Sequence, residues 1–441
     1  MKRLLSLLLC AVLALFCATT AQAAGVSITL TASEYALHYA FDAGAQDPFV
    51  ILEYATPAEK GWMMLYSADG HFEGDVSLAY SGAGGKTSVA LTSARTTGSI
   101  GKASTTLPKA VDYQKPTGKS NAKVMDFVLT ETPEGFHYAF NAAGTDYMLL
   151  YWRSKEQTVT QPVYPDENGH YEGDVISDLT FARTQFTVQV KSGSGSMKKE
   201  ATVRKGYQAP EAPQRQEGRL SGVTVCIDAG HQENGRFVNE PIGPGLSGST
   251  SGKGGMAQGT KTNRRESIVC LEIGMLLRDE LLRQGANVVM TREDQTTFHT
   301  NIERCEIAEA GGAQMMLRLH CNNSSNRSKR GIQVYGPLNS DYAKAVADAD
   351  TYREMGQKLL DAMKTRVGMT LANSTGMVRL NDNYVGNNWA KMMCFLVEMG
   401  YLSNPAEEYL LVTPVYQQWL AEGMADGVYE IAVARGWVQA Q

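Results

Sequence analysis

Residues 225–235 read VCIDAGHQENG. Val225, Cys226 and Ile227 form an apolar run with the composition of a buried strand, and the run breaks on Asp228, Ala229, Gly230 and His231. A turn explains Asp and Gly at that point. It does not explain why an ionisable imidazole should follow. In open α/β sheets, functional groups gather beyond the carboxyl ends of the strands. The stretch therefore predicts a core strand that delivers His231 to a sheet edge, with Gly230 allowing the bend and Asp228 in a turn or supporting position.

The sequence around it has the texture such a sheet requires. GVTVCID (222–228), NVVMTR (287–292), MMLRLH (315–320), GIQVYG (331–336) and CFLVEMG (394–400) read as strands. ESIVCLEIGMLLRDELLRQG (266–285) reads as a helix: Val269, Ile273, Leu276 and Leu277 recur at three- and four-residue steps, and Gly285 suits its C-terminal cap. Residues 302–310, 341–366 and 415–435 also carry a helical pattern. Alternating strands and helices predict an α/β domain over 220–441, with a largely parallel twisted sheet flanked by helices.

Two further strands end on ionisable groups. His320 closes LRLHCNN and Glu398 lies inside CFLVEMG, while Glu266 opens the helix that follows a glycine-rich loop. Two histidines and two glutamates on one sheet edge match the needs of a catalytic zinc site. Three protein ligands leave a fourth position for water, and a separate carboxylate moves protons. Plainer readings exist for each. A strand-end histidine is often a satisfied polar residue, and a glutamate at a helix start complements the helix dipole. Glu398 resists such a reading, because a carboxylate inside an apolar strand is costly to bury without a partner. His299, Glu303 and Arg304 are explained by loop and helix-start electrostatics.

Before residue 209 the chain has another character. LHYAFDAG (37–44) returns as FHYAFNAA (136–143), and GHFEGDV (70–76) returns as GHYEGDV (169–175), both at a spacing of 99 positions. Short aromatic and β-branched runs separated by turn residues predict two tandem all-β repeats, 25–118 and 119–208, of immunoglobulin-like sandwich type. His38, His71, His137 and His170 form two repeat-equivalent pairs and belong to the β-fold or its surface. Exposed aromatics in the repeats suit a wall polymer as ligand. QAPEAPQRQEGR (208–219) reads as an exposed linker, bounded at 209–219 in the domain plan.

The whole-chain properties narrow the classes further. A length of 441 residues fits about three domains of roughly 150 residues each. The formal net charge is −5 and there is no basic block, which argues against nucleic acid as a partner. Residues 1–23 have the layout of a secretory signal peptide: Lys2 and Arg3, an apolar stretch, then Ala21-Gln22-Ala23. No later segment is long and apolar enough for a membrane span, so a secreted protein of the periplasm or cell wall is expected. Five of the seven cysteines follow residue 220, an odd number with no zinc-finger spacing; they read as small core residues, with one disulfide as the alternative.

VCIDAGHQ, RRESIVCLEIGMLLRDELLRQGANVVMTRED, IERCEIAEAGGAQMMLRLHCN and FLVEMGYLSNPAEEYLL occur in this order. Together they resemble the zinc-dependent N-acetylmuramoyl-L-alanine amidases of bacteria, the amidase_3 type, over about 220–436. The resemblance implies a peptidoglycan hydrolase that cleaves the amide between N-acetylmuramic acid and L-alanine. It implies one Zn2+ per catalytic domain, held by His231, Glu266 and His320, with Glu398 as the catalytic carboxylate. Ala229 stands where the family usually has Pro, and Gln232 where Gly is common. The segment from His231 to Glu266 is longer than in compact members. Its glycine- and serine-rich composition suits a flexible loop over the site, with no helical plug. Asn388, in NNWAK (387–391), either touches substrate or holds a turn. Two other readings compete: an envelope-binding scaffold whose amidase domain is inactive, and a zinc peptidase acting on wall peptides.

Overall fold

A computed structural model describes residues 19–440, except for 23–25, 34–35, 79–83, 110–121, 133–134, 144–146, 154–156, 177–184, 193–196, 205–208, 233–237, 251–254, 263 and 369–376. The expected leader, residues 1–23, lies outside the described residues apart from Thr19–Gln22, a strand paired antiparallel with Ser27–Ala32. No described helix is long and apolar enough to cross a membrane. The described residues fall into two compact units, one within Met1–Gly206 and one within Tyr207–Gln441.

The first unit is all-β. In the first repeat, Ser27–Ala32, Ala36–Asp42 and His71–Ser77 form one sheet, extended by Thr19–Gln22, while Phe49–Ala55, Glu59–Tyr66, Gly85–Ser93 and Ser99–Leu107 lie in another. Strand alternation explains the split between core and surface. Ala36–Asp42 turns Leu37, Tyr39 and Phe41 inward and His38 and Asp42 outward. Leu30, Phe41, Leu52 and Leu91, drawn from both sheets, share one core. The second repeat reproduces this plan. Phe41 stacks on Phe72 at 4.9 Å, and its counterpart Phe140 stacks on Tyr171 at 4.5 Å. The repeats are joined along a strand edge. Glu59–Tyr66 pairs antiparallel with Gln157–Val163, so strands of both repeats form one eight-stranded sheet. The pairing satisfies backbone groups that two separate sandwiches would leave open at their edges.

The second unit is the expected α/β domain. Its elements are β1 (Thr224–Ala229), α1 (Glu266–Arg283), β2 (Asn287–Met290), α2 (Asn301–Ala310), β3 (Met315–Asn322), β4 (Gln333–Gly336), α3 (Asp341–Val346), α4 (Ala349–Val367), β5 (Met377–Leu380), α5 (Val385–Trp389), β6 (Met393–Tyr401), α6 (Pro405–Leu411) and α7 (Pro414–Ala434). The sheet order is β2-β1-β3-β6-β4-β5. Strands β2, β1, β3 and β6 are mutually parallel, but β4 runs antiparallel to β6 and parallel to β5. The sheet is therefore mixed, which qualifies the largely parallel expectation. The reason lies between Asn322 and Gln333, where the chain has too few residues for the crossover helix that a parallel return needs.

The central strands β1, β3 and β6 are buried almost throughout, which is why they read as continuous apolar runs. The helical stretch 341–366 divides into α3 and α4, because Asp348 caps the second helix by accepting from the Thr351 amide at 2.7 Å. The β5 strand and the short helices α5 and α6 lack the periodicity that would have announced them. Helices α4 and α7 meet through glycine. A Cβ on Gly423 or Gly427 would come within 2.8 Å of the Met363 Cα or 2.9 Å of the Leu359 Cα. Residues 209–219 are exposed, yet they are tied down: Arg278 donates to the Pro210 carbonyl at 2.9 Å and the Gln216 amide to that of Leu282 at 3.0 Å. All five cysteines of this unit are free and buried, as core residues would be.

Candidate active site

The parallel strands β1, β3 and β6 end on the same edge of the sheet and bring His231, His320 and Glu398 to one cavity of about 690 Å³, which Glu266 also lines. His231 takes the turn after β1 with a left-handed backbone, φ 57°. This revises the role expected of Gly230. The left-handed residue is the histidine, and the glycine supplies clearance: a Cβ there would lie 2.4 Å from the Leu319 carbonyl oxygen and 2.6 Å from His320 Cε1. A non-glycine residue in that backbone region is costly unless its surroundings fix it.

Two buried arginines do so. Arg292 donates to the carbonyls of Ala229 (2.7 Å), Gly230 (2.9 Å) and Ser267 (2.7 Å). Arg304 donates to the carbonyls of Ala229 (3.0 Å) and His231 (3.2 Å) and to the Gln232 side chain. The buried Asp228 anchors the cluster, with Arg304 Nη1 at 2.5 Å, Arg318 Nε at 2.9 Å and Thr291 Oγ1 at 2.8 Å. Burial opposes the charge on Asp228, but the two guanidiniums outweigh it and hold the carboxyl well below the usual range. Asp228 is thus a supporting residue, as expected. Arg304 is more than a helix-start residue, since it grips the turn that carries His231. Glu303 does keep the expected role, forming a capping box with Thr300.

Glu266 is the first residue of α1, and its side chain faces both histidines. Its Oε1 lies 2.9 Å from His320 Nδ1 and 3.2 Å from His231 Nε2, and accepts from the Cys321 amide at 3.0 Å. Its Oε2 accepts from the Ala257 amide at 2.7 Å. Burial opposes its ionisation, yet the hydrogen bonds from His231 and His320 keep its carboxyl well below the ordinary range. Burial lowers the His320 pKa as well and so favours its neutral imidazole. The rings of His231 and His320 meet edge-on at 4.9 Å. Ligand atoms of His231, Glu266 and His320 lie within 4.8 Å of one another and could hold a metal ion. Imidazole nitrogens and a carboxylate oxygen suit a borderline divalent cation.

Glu398 is the register partner of His320 on β6. Its Oε2 is buried and has no hydrogen-bond partner among the described residues. Burial, and then the charge of Glu266, push its carboxyl up to about 8. A buried carboxyl oxygen without a protein partner, in the cavity that the three candidate ligands line, makes Glu398 a candidate functional group.

The segment between His231 and Glu266 contains no helix among its described residues, and hydrogen bonds hold it at Glu240, Pro241 and Ile242. Glu240 caps α2 by accepting from the amides of Asn301 (3.2 Å) and Ile302 (2.8 Å). Trp389 Nε1 donates to the Pro241 carbonyl at 2.9 Å. Asn388 is buried and donates to the carbonyls of Ile242 (3.1 Å) and Asp382 (3.0 Å), so it holds turns. His299 lines the cavity, and its carbonyl accepts from Arg304 Nε at 3.2 Å.

Fold and site together define a class: an α/β enzyme domain whose centre gathers three residues that could hold a metal ion beside a buried carboxyl. Residues 225–430 match the family model described as N-acetylmuramoyl-L-alanine amidase, and this span is an amidase domain of the cell-wall hydrolase type. The germination-specific N-acetylmuramoyl-L-alanine amidase of Bacillus subtilis (strain 168) is 26% identical over 231 residues, which cover 49% of this chain and 83% of that protein. The probable cell wall amidase LytH of Staphylococcus aureus is 27% identical over 218 residues, covering 48% of this chain and 60% of LytH. The crystal structure of an N-acetylmuramoyl-L-alanine amidase from Clostridium difficile 630 aligns at 24% identity and a TM-score of 0.38, covering 48% of this chain and 96% of that one.

Proposed function

We propose that the C-terminal unit is a zinc-dependent amidase that cleaves the bond between N-acetylmuramic acid and L-alanine in peptidoglycan, outside the cytoplasmic membrane. The observation that carries this reading is the convergence of His231, Glu266 and His320 next to an unpartnered Glu398. His231, Glu266 and His320 would hold the ion. When bound, zinc supplies a Lewis acid that polarises the scissile carbonyl and makes water a nucleophile near neutral pH.

The remaining chemistry belongs to the chain. Glu398 takes a proton from the attacking water and returns it to the leaving alanine nitrogen. Without an ion, burial and then the Glu266 charge raise its carboxyl to about 8; a divalent cation held by the neighbouring ligands would offset the Glu266 charge and favour the carboxylate that accepts the proton. Arg292 and Arg304 hold the His231 turn rigid, which keeps the ligand set together before any ion arrives. The repeats are read as immunoglobulin-like sandwiches. Their division into a sheet of Ser27–Ala32, Ala36–Asp42 and His71–Ser77 and a group of four other strands supports that class.

Digestion of purified peptidoglycan, followed by mass analysis, tests the function. Released stem peptides that begin with L-alanine, together with glycans bearing intact muramic acid, are expected. Cleavage confined to bonds inside the stem peptide would replace the amidase reading with a peptidase.

A further inference from the structure

Glu408 lies on α6, the helix that follows the Glu398 strand, and it is fully buried. A buried carboxylate is costly unless hydrogen bonds satisfy it. Glu408 finds them in the backbone of the loop that leads into α1. Both of its oxygens accept from the Lys261 amide, at 2.9 and 3.1 Å, and Thr260 Oγ1 donates to Oε1 at 3.4 Å.

Thr260 and Lys261 form the tip of a hairpin. Gln258 and Arg265 pair antiparallel across it. The Gly259 amide donates to the Arg264 carbonyl and the Glu266 amide to the Ala257 carbonyl, each at 2.9 Å. The tip, GTKTN (259–263), carries no large apolar side chain to bury. A lone two-stranded hairpin is marginal in water, so this one needs an external hold. Gly259 leaves room for that hold: a Cβ there would lie 2.6 Å from Glu408 Oε2 and closer still to Thr262 Oγ1.

The base of the hairpin ends on a candidate metal ligand. Glu266 Oε2 accepts from the amide of the buried Ala257 at 2.7 Å, while Oε1 faces His231 and His320. The hairpin therefore decides which carboxylate oxygen is presented to the histidines.

We infer that Glu408 is a positioning residue for the metal centre: it clamps the hairpin tip, so that the Ala257 amide keeps hold of Glu266 Oε2 and Oε1 stays turned to the two histidines. The inference rests on the reading of His231, Glu266 and His320 as metal ligands. Groups that hydrogen-bond a ligating carboxylate orient it and tune affinity for the ion. Glu408 acts one step further out, through backbone that runs from Lys261 to Ala257. Glu407 offers a matched comparison on the same helix. Its buried carboxylate also accepts from backbone amides, those of Tyr401 and Gly331 at 2.8 Å each, but they lie at the end of β6 and just before β4, away from the hairpin.

Zinc titration of the full chain against a chromophoric chelator tests the inference, with Zn2+ as the probe. E408A should bind zinc about 10- to 100-fold more weakly than the wild type. E408Q keeps an oxygen for the Lys261 amide and should recover most of that loss. E407A should bind as the wild type does. G259A pushes the tip off the carboxylate while leaving Glu408 in place, and it should also weaken zinc binding. Circular dichroism checks that each variant folds. Wild-type affinity in E408A overturns the inference, and so does an equal loss in E407A, since either buried carboxylate would then act only through general stability. Where E408A does not fold, wild-type affinity in G259A overturns it. H320A, which removes a ligand outright, sets the lower limit of the scale. A wild type that binds zinc but releases no L-alanine peptides from peptidoglycan would end the amidase reading and leave this one standing. A wild type with no affinity for zinc would end both.

Discussion

His320 and Glu398 are register partners on adjacent parallel strands, so the backbone itself places a candidate ligand beside the candidate proton carrier. Neither needs a mobile loop to reach the other's neighbourhood. That relationship gives the most direct test of the roles. Glu398→Gln keeps size and polarity but cannot accept a proton. Turnover should fall by at least about a hundredfold, while zinc content stays at about one equivalent in the catalytic unit. Activity near the wild-type level would remove Glu398 from the chemistry.

His320→Ala should lose both metal and activity. A ligand contributes to holding the ion in the folded state, so added zinc should raise the melting temperature of the catalytic unit in the wild type and not in the variant. Glu266→Ala should behave in the same way, because its Oε1 faces both histidines. Zinc analysis by atomic absorption, with melting curves followed by circular dichroism, checks both variants.

In the metal-free chain, Glu398 makes stability depend on pH. Its folded-state carboxyl is raised to about 8 from an ordinary value of 4.5. The folded state therefore holds this proton more tightly than the unfolded state. The contribution is fully present below about 4.5 and is lost as pH rises through about 8. Glu398→Gln, which stays neutral, should be more stable than the wild type at pH 9 by an amount on the order of a few kcal/mol. The two should converge near pH 5. Urea unfolding of both proteins in the presence of a chelator measures the difference, and parallel pH profiles would contradict it.

Arg304→Ala should cost about 3 kcal/mol of stability, because it removes one of two guanidiniums from the buried Asp228 and frees the His231 carbonyl. Glu303→Ala, one residue earlier, loses only a capping contact and should cost about 1 kcal/mol. Comparing the two by urea denaturation separates the buried clamp from the helix start.

Gly230→Ala places a methyl group against the Leu319 carbonyl and the His320 ring. The turn must shift, at a cost of about 1–3 kcal/mol, and the ligand set should open. Weaker zinc binding in competition with a chromophoric chelator is the expected result. Unchanged affinity would show that the turn tolerates the displacement.

Much of this was legible in the sequence, because strand ends and helix starts are local features. VCIDAGHQ, LRLHCNN and CFLVEMG each display a hydrophobic run ending on an ionisable group, and Glu266 sits where the periodicity of α1 begins. The same reasoning could not see the arginine clamp. Arg292 and Arg304 look like ordinary residues after a strand and at a helix start, and their partners lie 62 and 73 positions away. For the mixed sheet the available signal was the short connection between LRLHCNN and GIQVYG, because strand direction follows connection length and the hydrophobic pattern does not encode it. In the first unit the duplicated motifs announced two repeats, but nothing in either copy revealed that Glu59–Tyr66 and Gln157–Val163 would pair across them.

The sequence by itself determined the α/β character of residues 220–441, the β-character of the repeats and the four candidate site residues, since each rests on periodicity or on position within one element. Tertiary structure decided the rest. It set the left-handed turn at His231, the clearance at Gly230, the Asp228–Arg304–Arg318 cluster and the hold of Glu408 on the hairpin before α1. Those features depend on contacts between segments far apart in the chain, where low dielectric and close packing fix which charged groups meet.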